Sequence, residues 1–211
     1  MDPLTPIPLT TIKEAESRIA NIAIRTPLLP LELPDRLCNI WLKAECLQPI
    51  GSFKIRGAAN AMELAKRSDL KKGVYTASAG NMAQGIASNA QRLGLSCRVI
   101  IPDTAPKNKL ESIGRLGATA VPVPFNEWWS VICDHGHPLE EGFFIHPVSD
   151  PAVIAGNGTV GLEILSELPD VDSIVVPYGG GGLSCGIASV FKELRPSTQV
   201  FAAEVETASP F

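Results

Sequence analysis

Along most of the chain, short apolar runs alternate with stretches patterned for helix. After a proline-rich lead, positions 10–21 read as one helix, with Thr10 or Thr11 as its cap and Glu14, three residues beyond Thr11, completing a capping box. Apolar runs at Ile40–Ala44, Val74–Ala77, Cys97–Ile101, Ala120–Val123, Phe143–His146, Ser173–Pro177 and Val200–Ala203 predict strands. Helix is predicted between them over Ser52–Lys66, Met82–Leu93, Lys107–Leu116, Ala152–Glu167 and Leu183–Leu194. Regular strand–helix alternation argues for an α/β architecture with parallel sheet. The least regular stretch, 122–147, holds Trp128-Trp129 and His135-Gly136-His137-Pro138 and accommodates one short helix and a loop.

Composition narrows the class. Of 211 residues, 45% are hydrophobic and 19% charged, a globular rather than a disordered balance. The 18 Lys+Arg against 22 Asp+Glu leave a net charge of −4, the wrong sign for nucleic acid. The densest basic spot, Lys71-Lys72, reads as a solvated loop. No apolar run reaches the roughly 18 residues that a membrane helix needs. The five cysteines stand far apart with no CxxC pair, so neither a zinc ribbon nor a redox motif is supported. With no basic-then-apolar leader at the N-terminus, that cysteine usage points to a reducing, cytoplasmic setting. His135 and His137, two apart without a carboxylate or cysteine partner, are a weak metal signal beside the plainer reading of a surface turn.

Three segments carry candidate chemistry. In Gly51-Ser52-Phe53-Lys54-Ile55-Arg56-Gly57-Ala58, Ser52 is placed as an N-cap, and Ile55, Ala58, Ala59 and Met62 form the buried stripe of a helix. Lys54 falls in the first turn beside small residues. Apolar neighbours and the positive helix end would lower its pKa, as a Schiff-base amine requires, because only the neutral form is nucleophilic. A solvated lysine near a helix start is the plainer alternative. Ser78-Ala79-Gly80-Asn81-Met82-Ala83-Gln84-Gly85 follows a strand directly, and such a turn exposes backbone N–H groups that can seat a carboxylate or phosphate. Asn81 either caps the helix that follows or bonds a ligand.

In Val175-Val176-Pro177-Tyr178-Gly179-Gly180-Gly181-Gly182-Leu183, a buried strand runs into four glycines and then a helix. Glycine lets the backbone approach an anion closely, and the helix start complements its charge. A dinucleotide fingerprint fails, since glycines at i and i+2 put Ser184 or Cys185 at i+5. A phosphate loop ending in Gly-Lys-Ser/Thr is excluded by Leu183-Ser184.

In this order, the three segments resemble those of the fold type II pyridoxal-phosphate enzymes, in the serine/threonine dehydratase and serine racemase branch. Pro102–Pro106, Gly117-Ala118, Pro151–Gly161 and Ala202–Glu204 extend the match over nearly all of the chain from Thr26 onward. The resemblance implies a tryptophan synthase β-like α/β fold, with two parallel-type open sheets flanked by helices. It also implies incompleteness at the C-terminus, since Phe211 falls well short of a whole family member. A large cofactor domain would come from residues 1–72 and 147–211, and a small substrate-side domain from 73–146. The implied cofactor is pyridoxal 5′-phosphate, held by Lys54 with Phe53; Lys54 would form the internal aldimine and later shuttle the Cα proton. Asn81 would bond the pyridoxal 3′-oxygen, while Gly179, Gly180, Gly181 and Gly182 with Leu183 would hold the phosphate. Ser78, Ala79, Gly80 and Asn81 would hold the substrate carboxylate.

The implied reaction is dehydratase (ammonia-lyase) chemistry on threonine or serine, giving a 2-oxo acid, in a homodimer with no nucleic-acid or membrane partner. Ala79 stands where racemases of the branch place a serine acid, so racemisation should be weak. Met82 stands where histidine is usual and Ile50 where threonine is common, which bears on substrate preference. Glu204 and Ala208 match the branch's cation site, but its frequent aspartate is Pro210 here. Three other readings stay open. β-Replacement synthases usually continue the lysine motif as Lys-Asp-Arg, unlike Lys54-Ile55-Arg56-Gly57-Ala58. A racemase and a catalytically silent cofactor-binding fragment are the others.

Overall fold

The structure is a computed structural model, in which residues 5–34, 37–138 and 141–208 are described. Helix α1 (Leu9–Ile19) is followed by strands β1 (Leu28–Leu31) and β2 (Ile40–Lys43), then by α2 (Lys54–Leu64). Next come β3 (Val74–Ala77), α3 (Asn81–Leu93), β4 (Cys97–Pro102), α4 (Lys107–Arg115), β5 (Thr119–Val123), α5 (Phe125–Cys133) and β6 (Phe143–Phe144). The chain closes with α6 (Pro151–Glu167), β7 (Ser173–Pro177), α7 (Gly182–Leu194) and β8 (Gln199–Ala203). The described strands form a four-stranded parallel sheet in the order β5-β4-β3-β6, a parallel pair β7-β8 and an antiparallel pair β1-β2.

The period of two along β3 and β4 decides how the four-stranded sheet is covered. Val74, Cys97, Val99 and Ile101 face one way and pack with α2, α3 and α4. Tyr75, Ala77 and Ile100 face the other way and meet Val131 and Trp128 of α5. Both faces are dry, which is why these strands read as unbroken apolar runs. Entering and leaving backbone meet at the rim of this sheet, where the Phe143 N–H donates to Gly73 O at 3.0 Å.

Helix α6 is buried almost all round, packed among α1, α2 and α7. Asp150 caps it, accepting from the N–H groups of Ala152 (2.7 Å) and Val153 (3.4 Å), and Pro151 opens its first turn. Glycine makes the close packing possible: a Cβ on Gly156 would stand 2.5 Å from Arg56 O, and one on Gly186 2.6 Å from Ile154 O. α6 therefore carries the starts of α2 and α7 side by side. Ile174 and Val176 of β7 turn inward onto these helices, whereas Val175 and Phe201, partners across β7-β8, stay exposed.

Several expectations are corrected. The capping box is absent: α1 starts after Pro8, whose carbonyl accepts from the Ile12 N–H at 3.3 Å, and no side chain caps it. Phe53 rather than Ser52 occupies the N-cap of α2, although Ser52 Oγ accepts from the Lys54 N–H at 3.3 Å. Asn81 is the first residue of α3, after Gly80, and is not its cap. β1 is a strand that the apolar pattern does not predict. Among the described residues, no helix is long and apolar enough to cross a membrane.

Candidate active site

Lys54 opens α2, and its Nζ donates to the carbonyl of Pro147 at 3.0 Å while lying 5.3 Å from the centre of the Phe53 ring. Burial lowers its pKa from 10.5 to about 8, because the charged form loses water that one carbonyl does not replace. The amine is thus close to the protonation range of a nucleophile or base at neutral pH.

The glycine loop rests on the residue next to Pro147. A Cβ on Gly180 would stand 2.5 Å from Val148 Cγ1, and one on Gly182 2.8 Å from Val148 O. Gly181, the N-cap of α7, has φ +81°, a conformation that side-chained residues rarely adopt. Leu183 lies in the first turn of α7. Behind the loop, fully buried Asn157 donates Nδ2–H to Gly182 O at 3.3 Å. Its Oδ1 has no hydrogen-bond partner among the described residues. One turn, Pro147-Val148, therefore touches both the lysine and the glycine cradle.

The third segment arrives through helix packing. On α3, a Cβ at Gly85 would meet Lys54 O at 3.1 Å, so the start of α3 runs beside the start of α2. In the turn before it, the Ser78 N–H donates to Ile100 O at 3.2 Å and Ser78 Oγ accepts from the Gly80 N–H at 3.3 Å. Ser78, Ala79 and Gly80 are partly buried and Asn81 is exposed. Met82 is 1% exposed and belongs to the core rather than to an open surface. Trp128 likewise packs partly inside, its ring 5.5 Å from Phe125 and 6.1 Å from Trp129.

The metal expectations gain no support. Glu204 follows β8, Ala208 lies in a short 3-10 turn after it, and Pro210 is outside the described residues. Among the described residues, no three His, Cys, Asp or Glu side chains gather to hold an ion. His137 Nε2 sits 2.9 Å from Glu127 Oε1, and the His135 ring stacks on His146 at 4.3 Å.

Two features escaped the sequence. Arg56, 1% exposed, spans Glu45 (Nε–Oε2 2.8 Å, Nη2–Oε1 2.7 Å) and Glu163 (Nη1–Oε1 2.6 Å, Nη2–Oε2 2.9 Å). It also reaches Thr159 Oγ1 and the carbonyl of Ile24, and Lys43 Nζ meets Glu163 Oε2 at 2.7 Å. This cluster fixes α2, two residues beyond Lys54, against α6. The other is His146, buried between β6 and α6; the only signal for it was its place directly before Pro147.

A buried amine of lowered pKa and a run of glycines at a helix start thus meet at one turn of an α/β fold. The family described as "Pyridoxal-phosphate dependent enzyme" matches residues 19–211. The chain belongs to that family. It is 42% identical to the L-threonine ammonia-lyase of Geobacter sulfurreducens over 206 residues, covering 96% of this chain but 51% of that protein. Among solved structures it is similar to the serine racemase of Dictyostelium discoideum (TM-score 0.85, 36% identity, 96% of this chain and 67% of that one). It is also similar to the processed form of threonine deaminase isoform 2 from Solanum lycopersicum (TM-score 0.76, 33% identity, 97% and 61%). The chain thus spans about half the length of the first of these relatives. The residues present fit pyridoxal phosphate: the place of a Cβ at Gly179 is open space, Gly181 at φ +81° turns the backbone into the start of α7, and Lys54 supplies the amine.

Proposed function

We propose that this chain is the cofactor-holding part of a pyridoxal-phosphate dehydratase that removes water and ammonia from threonine or serine to give a 2-oxo acid. The observation that carries this reading is the Pro147-Val148 turn, which supports the amine of Lys54 and the floor of the glycine loop together. Bound pyridoxal phosphate supplies an electron sink for the carbanion formed at the substrate Cα. Lys54, with Phe53 beside it, would hold that group covalently and carry the Cα proton. Gly179 to Gly182 and Leu183 would receive the phosphate on backbone N–H groups at the start of α7. Ser78, Ala79 and Gly80 would bind the amino acid's carboxylate at the start of α3, with Asn81 reaching the cofactor ring's oxygen. Residues 73–146 would form the substrate side and 1–72 with 147–211 the cofactor side. A homodimer in a reducing, cytoplasmic setting completes the reading.

The test is direct. Protein reconstituted with pyridoxal phosphate should absorb in the visible, lose that band on borohydride reduction and leave a pyridoxyl mass on the peptide containing Lys54. Full cofactor occupancy with an unmodified Lys54 would sink the assignment.

A further inference from the structure

His146 is 5% exposed and stands where the chain leaves β6 for α6. Its Nδ1 accepts from the N–H groups of Val148 (3.2 Å) and Ser149 (2.9 Å), with Ser149 Oγ also at 2.9 Å. On the far side of the ring, Nε2 lies 3.1 Å from the carbonyl of Ile132 in α5. A ring nitrogen that receives two backbone N–H groups bears no proton, so Nε2 bears it and donates to Ile132. Burial and then the neighbouring His135 hold the pKa below its ordinary value, with Lys54 adding to this and Ile132 and Asp150 opposing it. The imidazole is a neutral ring in one tautomer. The turn it folds is the one on which the site rests: Pro147 O receives Lys54 Nζ, and Val148 lies beneath Gly180 and Gly182.

We propose that His146 is a positioning residue, which sets the amine of Lys54 and the glycine loop relative to each other by pinning the 147–149 turn, and ties that setting to α5 through Ile132. The inference rests on the reading of Lys54 and the glycine loop as the cofactor's seat. Its working part is the acceptor at Nδ1, and two amides separate the ends of the ring. Asparagine puts an oxygen near the place of Nδ1, whereas glutamine puts its N–H₂ near the place of Nε2.

The experiment reads the cofactor-free protein first. The pH dependence of reductive methylation at Lys54, followed by peptide mass, gives the pKa of the amine, and titration with pyridoxal phosphate then gives affinity. His146→Asn should keep the pKa close to the wild-type value of about 8. His146→Gln should raise it toward that of an ordinary lysine and weaken cofactor binding about tenfold or more, the loss expected when two buried N–H groups lose their acceptor. Equal behaviour of the two variants, whether both keep or both lose, overturns the proposal. The wild-type protein supplies a measurement that needs no variant to fold. Of its three histidines, one should show ¹⁵N shifts of an unprotonated Nδ1 and a protonated Nε2 at pH 7. The opposite tautomer in every histidine, or three imidazolium ions, overturns it as well. Cofactor bound elsewhere than Lys54 would defeat the parent reading alone, because tautomer and lysine pKa are read without cofactor.

Discussion

Ala79 lies between Ser78 and Gly80 in the turn before α3, and its methyl group has no proton to give. On the proposed dehydratase reading, elimination after Cα deprotonation expels the β-hydroxyl, whereas racemisation needs a proton from the opposite face, where the family resemblance puts residue 79. A positioned general acid is typically worth about 10²–10⁴ in rate, so the D-isomer should be suppressed by that order relative to the 2-oxo acid. Supplied with L-serine, the complete protein of the proposed activity should form pyruvate far faster than D-serine when both are followed in the same samples. Ala79→Ser should raise D-serine formation and change pyruvate formation only modestly. D-serine appearing as fast as pyruvate in the wild type would mean that another group or water serves that face.

At the scale of elements, the start of α7 is where backbone conformation and electrostatics coincide. Gly181→Asp puts a side chain at φ +81° and a carboxylate into the proposed phosphate seat. A like charge about 4 Å away opposes by roughly 1–4 kcal/mol, so affinity for pyridoxal phosphate should fall about tenfold or more, as read by fluorescence titration. Unchanged affinity would reduce the four glycines to a flexible turn. The place of the glycine loop between β7 and α7 was legible in the sequence because its pattern is local, and so were α2, α3 and the β3–β4 strands, whose apolar periods match their packing. β1 was not: Leu28-Leu29-Pro30-Leu31 carries a proline, and only its antiparallel pairing with β2 makes it a strand. Pairing of Lys54 with Pro147 and of Arg56 with Glu163 was invisible for a different reason. The partners lie 93 and 107 residues apart, and only the packing of α6 and of the turn before it against α2 brings them together.

Across the whole molecule, Arg56 joins α2, α6 and the 3-10 turn 45–47, while Lys43 ties in β2. Arg56 and Lys43 meet the carboxylates of Glu45 and Glu163 inside this cluster, with Glu167 at its edge 3.5 Å from Lys43. Removing one member leaves a charge buried without its partner, which costs about 3–5 kcal/mol. Arg56→Met should lower the stability measured by denaturant titration by that amount, whereas Lys72→Ala, which loses a pair exposed at both ends, should change it by roughly 0–1 kcal/mol. A comparable effect at the two sites would show that water screens the Arg56 cluster.

The largest apolar core runs across residue 73: Ala58, Ala61 and Met62 of α2 and Val153 of α6 lie in one cluster with Met82, Ile86, Val99 and Ile101. That has a consequence for exchanging parts between relatives. A graft spliced at Gly73 and His146 would match at the rim, where the Phe143 N–H meets Gly73 O, yet would pair the inserted α3 with a foreign α2 surface. The transferable module therefore takes in α2 together with α6, against which Arg56 and Ala58 are packed. A chimaera that carries Lys54–Leu64 and Pro151–Glu167 along with the four-stranded sheet keeps both sides of that contact, and takes the amine of Lys54 with it.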